Sequence, residues 1–336
     1  EGEDLSRHDK WLCMMYPRFV LLQKLLAEDG AIFISIDDNE HANLLLVCNE
    51  IFGSNNFIQD IIWNKRVSPA RDAKFFSTDH EYILVYSKNK ESLTTHFLPR
   101  TEKNNSYYKN PDNDPRGPWN SAAYTCNKSR DERPNLYYPI TNPYTGEKIF
   151  PKESAVWAYS EETYQQHVRD NLLYWGVNGE AKQPRKKAFL SEVGDVVPRS
   201  VWSHSDVGST QKATMENNTI FNMRAFSYPK VSTLVERIIQ IASDKDSIVL
   251  DSFAGSGTTA HAVLNMNKSD GGNRKFILVE MGDYADTITA ERVKRVINGY
   301  GEGKNAVEGT GGNFSYYELG NPLFMQDGTI NDEVDI

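Results

Sequence analysis

The residues best suited to chemistry lie in IVLDSFAGSGTTAHAVL (248–264). An apolar, strand-like run ends on Asp251, glycines follow at 255 and 257, and Thr258-Thr259 open a stretch of helical character. Glycine tolerates positive φ and lets a ligand approach the backbone closely. The first turn of the helix then offers unpaired N–H groups and positive potential to a carboxylate or phosphate. Asp251 at the strand tip can accept a hydrogen bond from a ligand ammonium, but it would repel a pyrophosphate. Glu280, 23 residues beyond Gly257, closes the next apolar run, KFILVE (275–280), where a carboxylate is placed to take ribose hydroxyls. Gly255-x-Gly257-x-x-Ala260 with Glu280 also meets a relaxed dinucleotide fingerprint. In that motif, however, the first glycine follows the strand almost directly. Here Asp251 and three further residues come before Gly255. An amino-acid-bearing nucleoside such as S-adenosylmethionine fits this spacing. The competing reading is a nicotinamide dinucleotide held by an NAD-dependent oxidoreductase.

The elements that must position this turn follow an α/β rhythm. Leu12, Met15, Phe19, Leu22, Leu25 and Leu26 form one stripe of a helix over 9–28, with Cys13 in the same pattern as a core residue. AIFISI (31–36) reads as a strand buried on both faces of a parallel sheet. Asp37-Asp38-Asn39 is expected to cap a helix reaching Ile51. FIQDIIW (57–63) and EYILVYSK (81–88) read as strands, joined by a polar loop over 64–80 that is long enough to suggest function. After Tyr228 the rhythm returns, with helices at 231–243, from Thr258 and over 284–298, and strands at 247–251 and 275–280. Between them, from about 98 to 225, short strand-like pieces alternate with turn clusters, and 14 Trp or Tyr residues lie between 98 and 230. The chain thus reads as one α/β domain with a largely irregular insertion.

Charge divides along the same line. The whole chain has 37 Lys or Arg against 46 Asp or Glu, a net charge of −9, which is not the composition of a basic nucleic-acid binder. Residues 98–230 carry 18 cations and 15 anions, so the acidic surplus lies elsewhere, and a polyanion can be met by this stretch, including Lys182, Arg185, Lys186 and Lys187. Cys13, Cys48 and Cys126 form no C-x-x-C pair, which favours a reducing cytoplasm over a disulfide framework. No stretch of membrane-spanning length is apolar throughout, so no membrane role is expected. Seven scattered histidines offer no metal-ligand pair.

Asp251-x-Phe253-x-Gly255-x-Gly257-Thr258-Thr259 resembles the first motif of the β-class amino-methyltransferases of DNA, in which a catalytic half, a target-recognition region and a cofactor half follow in that order. Residues 11–40, IFGSNNF (51–57), HEYILVYSKNK (80–90), FSYPKVSTL (226–234), 276–297 and FSYYELGNPLF (314–324) are similar to the adenine-modifying subunits of type III restriction-modification systems. The resemblance implies a Rossmann-like α/β sheet, mostly parallel with helices on both faces and an inserted target-recognition region. It divides the chain into a catalytic-side half at 1–97 lacking its N-terminal part, the target-recognition insertion at 98–225, an S-adenosylmethionine-binding half at 226–300, and a truncated extension at 301–336. It implies that Phe253, Gly255, Gly257, Thr258 and Thr259 hold S-adenosylmethionine, that Glu280 holds its ribose, and that Lys230 meets its carboxylate. Val231 stands where the family usually has Pro. The implied activity is methyl transfer to the N6 amine of adenine in double-stranded DNA. The implied partners are a second copy in a homodimer and a restriction (helicase-nuclease) subunit.

Adenine's amine is a poor nucleophile because its lone pair is delocalised into the ring. Catalysis must therefore extrude the base, hold it between apolar faces and supply acceptors to the amine. The family takes those acceptors from Asp-Pro-Pro-Tyr, and this sequence contains no Pro-Pro pair. Asn142-Pro143-Tyr144 lies in TNPYTG, which reads as a turn inside the insertion. No catalytic residue is therefore assigned. The expectation is a fragment that begins in mid-domain, with a central gap in its sheet and no activity alone. No cysteine follows a proline, which disfavours carbon-5 cytosine chemistry. A DNA-binding specificity fragment without catalysis is the remaining alternative.

Overall fold

The computed structural model describes residues 6–320. They divide into two compact units, one made of the residues up to His96 together with those from Pro198 onward, the other of Phe97–Val197.

In the first unit, β1 (Ala31–Ile36), β2 (Phe57–Asn64), β3 (His80–Ser87) and the short β4 (Val201–Trp202) form a sheet in the order β1-β3-β2-β4. Helices α1 (Ser6–Leu25) and α2 (His41–Cys48) cover it, and Met15, Phe19, Leu44, Cys48, Phe52, Leu84 and Tyr86 make its core. Cys13 is exposed, so the core thiol is Cys48, whose pKa burial pushes up to about 12. Leu25, expected on the buried stripe, is exposed as well. The helix after β1 is capped at Glu40, not by Asp37-Asp38-Asn39. Asp37 instead accepts from the backbone N–H of Asn39, and Glu40 lies 2.7 Å from the His8 ring.

The direction of β1 also differs from expectation. It runs antiparallel to β3, with Ala31 opposite Ser87 and Ile36 opposite Tyr82, and is half-buried. A continuous apolar run reports burial but not the direction of its neighbour.

The other half of this unit comprises α3 (Thr210–Phe221), α4 (Ser232–Ala242), β5 (Ile248–Asp251), α5 (Thr258–Asp270), β6 (Lys275–Leu278) and α6 (Glu291–Asn298). Strands β5 and β6 pair in parallel, Ile248 with Lys275 and Asp251 with Leu278, joined by α5 as in a βαβ crossover. One face packs Val249, Phe276 and Leu278 against α4, α5 and α6. On the other face Ile248, Leu250, Ile277 and Val279 are exposed. The α/β class therefore holds, with β1, β2 and β3 paired antiparallel where the resemblance implies a mostly parallel sheet. Among the described residues no strand joins β5 to β1. No described helix is long and apolar enough to cross a membrane.

The inserted unit ends at Val197 rather than at 225, because β4 extends the first unit's sheet beside β2 and α3 packs on α6. Its aromatic surplus forms a core of Tyr124, Tyr138, Ile140, Trp157, Tyr164 and Trp175. With this boundary the unit holds 14 cations and 13 anions, so most of the basic excess counted over 98–230 belongs to the first unit. Part of the 314–324 segment lies outside the described residues, but Phe314 packs against Ala260, Leu264, Val293 and Val296.

Candidate functional site

The carboxyl ends of β5 and β6 point their acidic residues into one turn. Asp251 accepts the Phe253 N–H at 3.1 Å and the Thr259 hydroxyl at 2.5 Å, which clamps the turn to the first residues of α5. Glu280, two residues past β6, accepts the Gly255 N–H through one oxygen at 2.8 Å. Its other oxygen takes the N–H groups of Met281 and Gly282, both at 2.9 Å. Gly255 and Gly257 have φ of +51° and +80°. A β-carbon on Gly257 would also stand 2.9 Å from the Thr289 carbonyl oxygen, so both conformation and space demand glycine there. Thr289 closes the loop from that side by donating its hydroxyl to the Gly255 carbonyl at 2.6 Å.

The structure thus brings together Asp251, Phe253, Gly255, Gly257, Thr258, Thr259 and Glu280. Their side chains divide into two kinds. Phe253 is half-exposed over the turn, and beside Gly255 the Phe226 ring packs edge-on to Tyr284 at 5.4 Å. Thr258 and Thr259 are buried and point inward, Thr258 donating to the Lys230 carbonyl at 3.2 Å. They shape the turn from within.

Lys230 reaches the site by its backbone, while its ammonium is engaged elsewhere. It pairs with Glu81 and lies 5.1 Å from the centre of the Trp63 ring. Burial works to raise the Glu81 carboxyl, but Lys230 and Lys65 together hold it below the usual carboxylate range. Trp11, Ser35, Asp37, Asn39, Glu81 and Lys230 line an open cleft of about 400 Å³ at the carboxyl end of β1. Asn142-Pro143-Tyr144 forms the turn of a hairpin in the inserted unit. Asn142 bonds the Tyr144 N–H and the Gly179 carbonyl, each at 2.8 Å, as a turn residue does.

Sequence reasoning missed the group that braces the turn from behind. Arg292 is fully buried in α6 and donates to Ser256 and Thr258, both at 2.9 Å, and to Glu216 at 3.2 Å. His261 Nδ1 lies 3.0 Å from both the Arg292 guanidinium and the Glu216 carboxylate, and Glu216 also accepts the Ser232 N–H at 3.0 Å. Burial opposes the charge on Glu216, yet His261 and Arg292 overcome it and lower its pKa to about 2. Arg292 sits three residues before Arg295 on an amphipathic helix. The apolar spacing of Ala290, Val293 and Val296 is the sequence cue that Arg292, beside that stripe, points inward.

An acid-tipped parallel strand pair, a glycine turn opening a helix and a carboxylate across the turn are the parts from which nucleoside-binding α/β sites are built. The chain belongs to the DNA methylase family, whose N6/N4 methyltransferase model matches residues 1–291. It is 36% identical over 306 residues to the Mod subunit of the type III restriction-modification enzyme StyLTI of Salmonella typhimurium, covering 87% of this chain and 46% of that protein. It is 32% identical over 300 residues to the EcoPI Mod subunit of Escherichia phage P1, covering 82% and 46%. To the type II methyltransferase M.KpnI of Klebsiella pneumoniae it is 32% identical over 292 residues, covering 81% and 67%. The chain spans about half the length of the Mod subunits it matches.

Proposed function

We propose that this chain forms the cofactor-holding and DNA-reading part of an S-adenosylmethionine-dependent DNA methyltransferase, which modifies the N6 amine of adenine in a restriction-modification system. The observation that carries the reading is the turn from Asp251 to Thr259, tied to Glu280, within a chain of the DNA methylase family. When bound, S-adenosylmethionine supplies an electrophilic methyl group on a sulfonium. Glu280 would take its ribose hydroxyls in place of the backbone N–H groups it now accepts. Phe253 would cover the adenine, and Asp251 and the N-terminus of α5 would face its amino-acid end. Gly255 and Gly257 let the backbone come close. Lys230 would meet the carboxylate after leaving Glu81, so donor uptake and the Glu81 pair would compete for one ammonium.

Methyl transfer further needs acceptors for the amine. The Asp-Pro-Pro-Tyr set is not among these 336 residues, so we infer that activity requires it from outside them. Among the described residues the edges of β5 and β1 are unpaired and one face of β5–β6 is uncovered, which supports a strand taking its place between them. The inserted unit at 97–197 is read as the target-recognition region, with duplex DNA as substrate. A restriction subunit is an inferred protein partner, on the strength of the relatives' names as Mod subunits of restriction-modification enzymes. A second copy and the helicase-nuclease character of that subunit are proposed on the family resemblance alone.

Calorimetry with S-adenosylmethionine and NAD tests the class. Uptake of the first and not the second is expected, and the reverse overturns it. Purified chain should transfer no methyl group to DNA, and should do so once a segment bearing Asp-Pro-Pro-Tyr is restored. Transfer by the chain alone would remove the need for that segment.

A further inference from the structure

The loop that joins β2 to β3 is too long for the hairpin it closes. Asn64 pairs directly with His80, so two-residue closure is geometrically available, yet 15 residues intervene. The loop is built rather than slack. Ser77 accepts the Ala70 N–H at 2.7 Å and donates to Asp79, and the Asp79 carbonyl accepts the Lys65 N–H at 2.9 Å. These bonds gather the base of the loop and leave 71–76, Arg-Asp-Ala-Lys-Phe-Phe, as an exposed tip. Phe75 and Phe76 are 82% and 92% exposed, two adjacent aromatic rings given wholly to water. Folding gains nothing from them there, since an apolar ring stabilises only when it leaves water. Lys74 stands over the Phe75 ring at 5.2 Å, and Arg66 and Arg71 form no ion pair among the described residues. With Lys65 the loop has four cations against Asp72 and Asp79.

The base of this loop is also wired to the candidate site. Lys65 pairs with Glu81 at 3.0 Å, Glu81 pairs with Lys230, and the Lys230 carbonyl accepts the Thr258 hydroxyl at the start of α5. Cations flanking exposed aromatic rings match a duplex opened at one step: the cations meet phosphates, and the rings enter the space between unstacked bases. An enzyme that extrudes its target base creates such a space. We propose that the β2–β3 loop is a DNA-inserting element whose Phe75 and Phe76 fill the duplex step vacated by the extruded base. The inference rests on the DNA methyltransferase reading and adds to it the element that holds the opened duplex.

The test is fluorescence anisotropy of the 336-residue chain on a short mixed-sequence duplex and on the same duplex with one abasic position, alongside calorimetry with S-adenosylmethionine. Wild type should bind the abasic duplex about tenfold more tightly, the scale of aromatic stacking on a base. F75A/F76A should melt at the wild-type temperature and bind the intact duplex as wild type does, but lose the preference. R71Q/K74Q should weaken both duplexes alike and flatten the salt dependence. If F75A/F76A keeps the preference, or loses affinity for both duplexes in the same ratio, the insertion role fails. In either of those cases the enzymatic reading stands, provided the chain takes up S-adenosylmethionine. A wild-type chain that binds neither duplex nor S-adenosylmethionine overturns both.

Discussion

Arg292 and Lys187 are both fully buried cations, one in each compact unit, and they hold different things. Arg292 gathers α3, the turn after β5, and α5 around one guanidinium directly behind the glycine turn proposed to hold the cofactor. Lys187 lies 2.8 Å from Asp114 and 2.5 Å from Asp112. Asp114 is gripped again by Arg116 at 2.7 Å, and Asp112 accepts the Trp119 indole N–H at 2.8 Å. This second cluster packs beside aromatic rings, with Lys187 5.6 Å from the centre of the Trp119 ring and Arg116 4.3 Å from that of Phe189. A buried ion pair adds little over a well-packed apolar replacement but is costly to break. The two clusters therefore differ less in stabilisation than in what loosens when each is broken.

Substitution of the two cations should separate those roles most strongly. R292M leaves Glu216 only His261 and the Ser232 N–H and should destabilise the first unit by about 3–5 kcal/mol. In denaturant titrations kept within the folded range, it should also weaken S-adenosylmethionine uptake. K187M should cost about 3 kcal/mol or somewhat less, because Asp114 keeps Arg116, and should leave donor affinity unchanged. Equal loss of donor affinity in both variants would erase the distinction.

Acid provides the next largest contrast. Glu216 titrates at about 2 in the folded chain against an ordinary 4.5, so it binds its proton less readily when folded. Its stabilisation is complete above about pH 4.5 and is lost as pH falls toward 2, on the order of 3 kcal/mol in all. Asp114, held well below the carboxylate range chiefly by Arg116, follows the same sign in the inserted unit. E216Q should flatten the acid limb of unfolding for the first unit, as followed by exchange at α3 and α6. An unchanged limb there would show that the Glu216 charge is not what acid removes.

G257A acts on the front of the turn. Its methyl would press on the Thr289 carbonyl in a left-handed conformation, at a cost of about 2 kcal/mol. Donor affinity should fall without any change in the inserted unit. Y144A sits at the far end of the scale. Tyr144 is exposed on a hairpin turn, and its loss should shift stability by less than about 0.5 kcal/mol and leave donor uptake untouched. A large fall in either quantity would reopen the role of Asn142-Pro143-Tyr144.

Most of the turn after β5 was legible in the sequence because its parts are contiguous. Asp251, Gly255, Gly257 and Thr258 stand in one strand–turn–helix passage, and local spacing fixes local geometry. The place of Glu280 at the end of the next strand followed from βαβ topology, which leaves few ways to place that tip, but its bond to the Gly255 N–H was not legible. The Lys230–Glu81 pair was not legible, since 149 residues separate its partners. Nor was the inward turn of Arg292, because a helix pattern rich in charge does not say which cation is enclosed. The end of the insertion was misplaced for a related reason. Residues 198–225 have the irregular texture of the insertion, yet β4 and α3 find their partners in the first unit.

The sequence by itself determined the α/β class, the order of the elements and the strand–turn–helix passage at 248–264, all of which rest on periodicity and on neighbours in the chain. Tertiary structure alone decided that β1 runs antiparallel to β3, that β5–β6 shows an uncovered apolar face, and that Phe75 and Phe76 stand in water. Each of those depends on which distant segment packs, or fails to pack, against a surface. That is a property of the assembled fold and not of any window of residues.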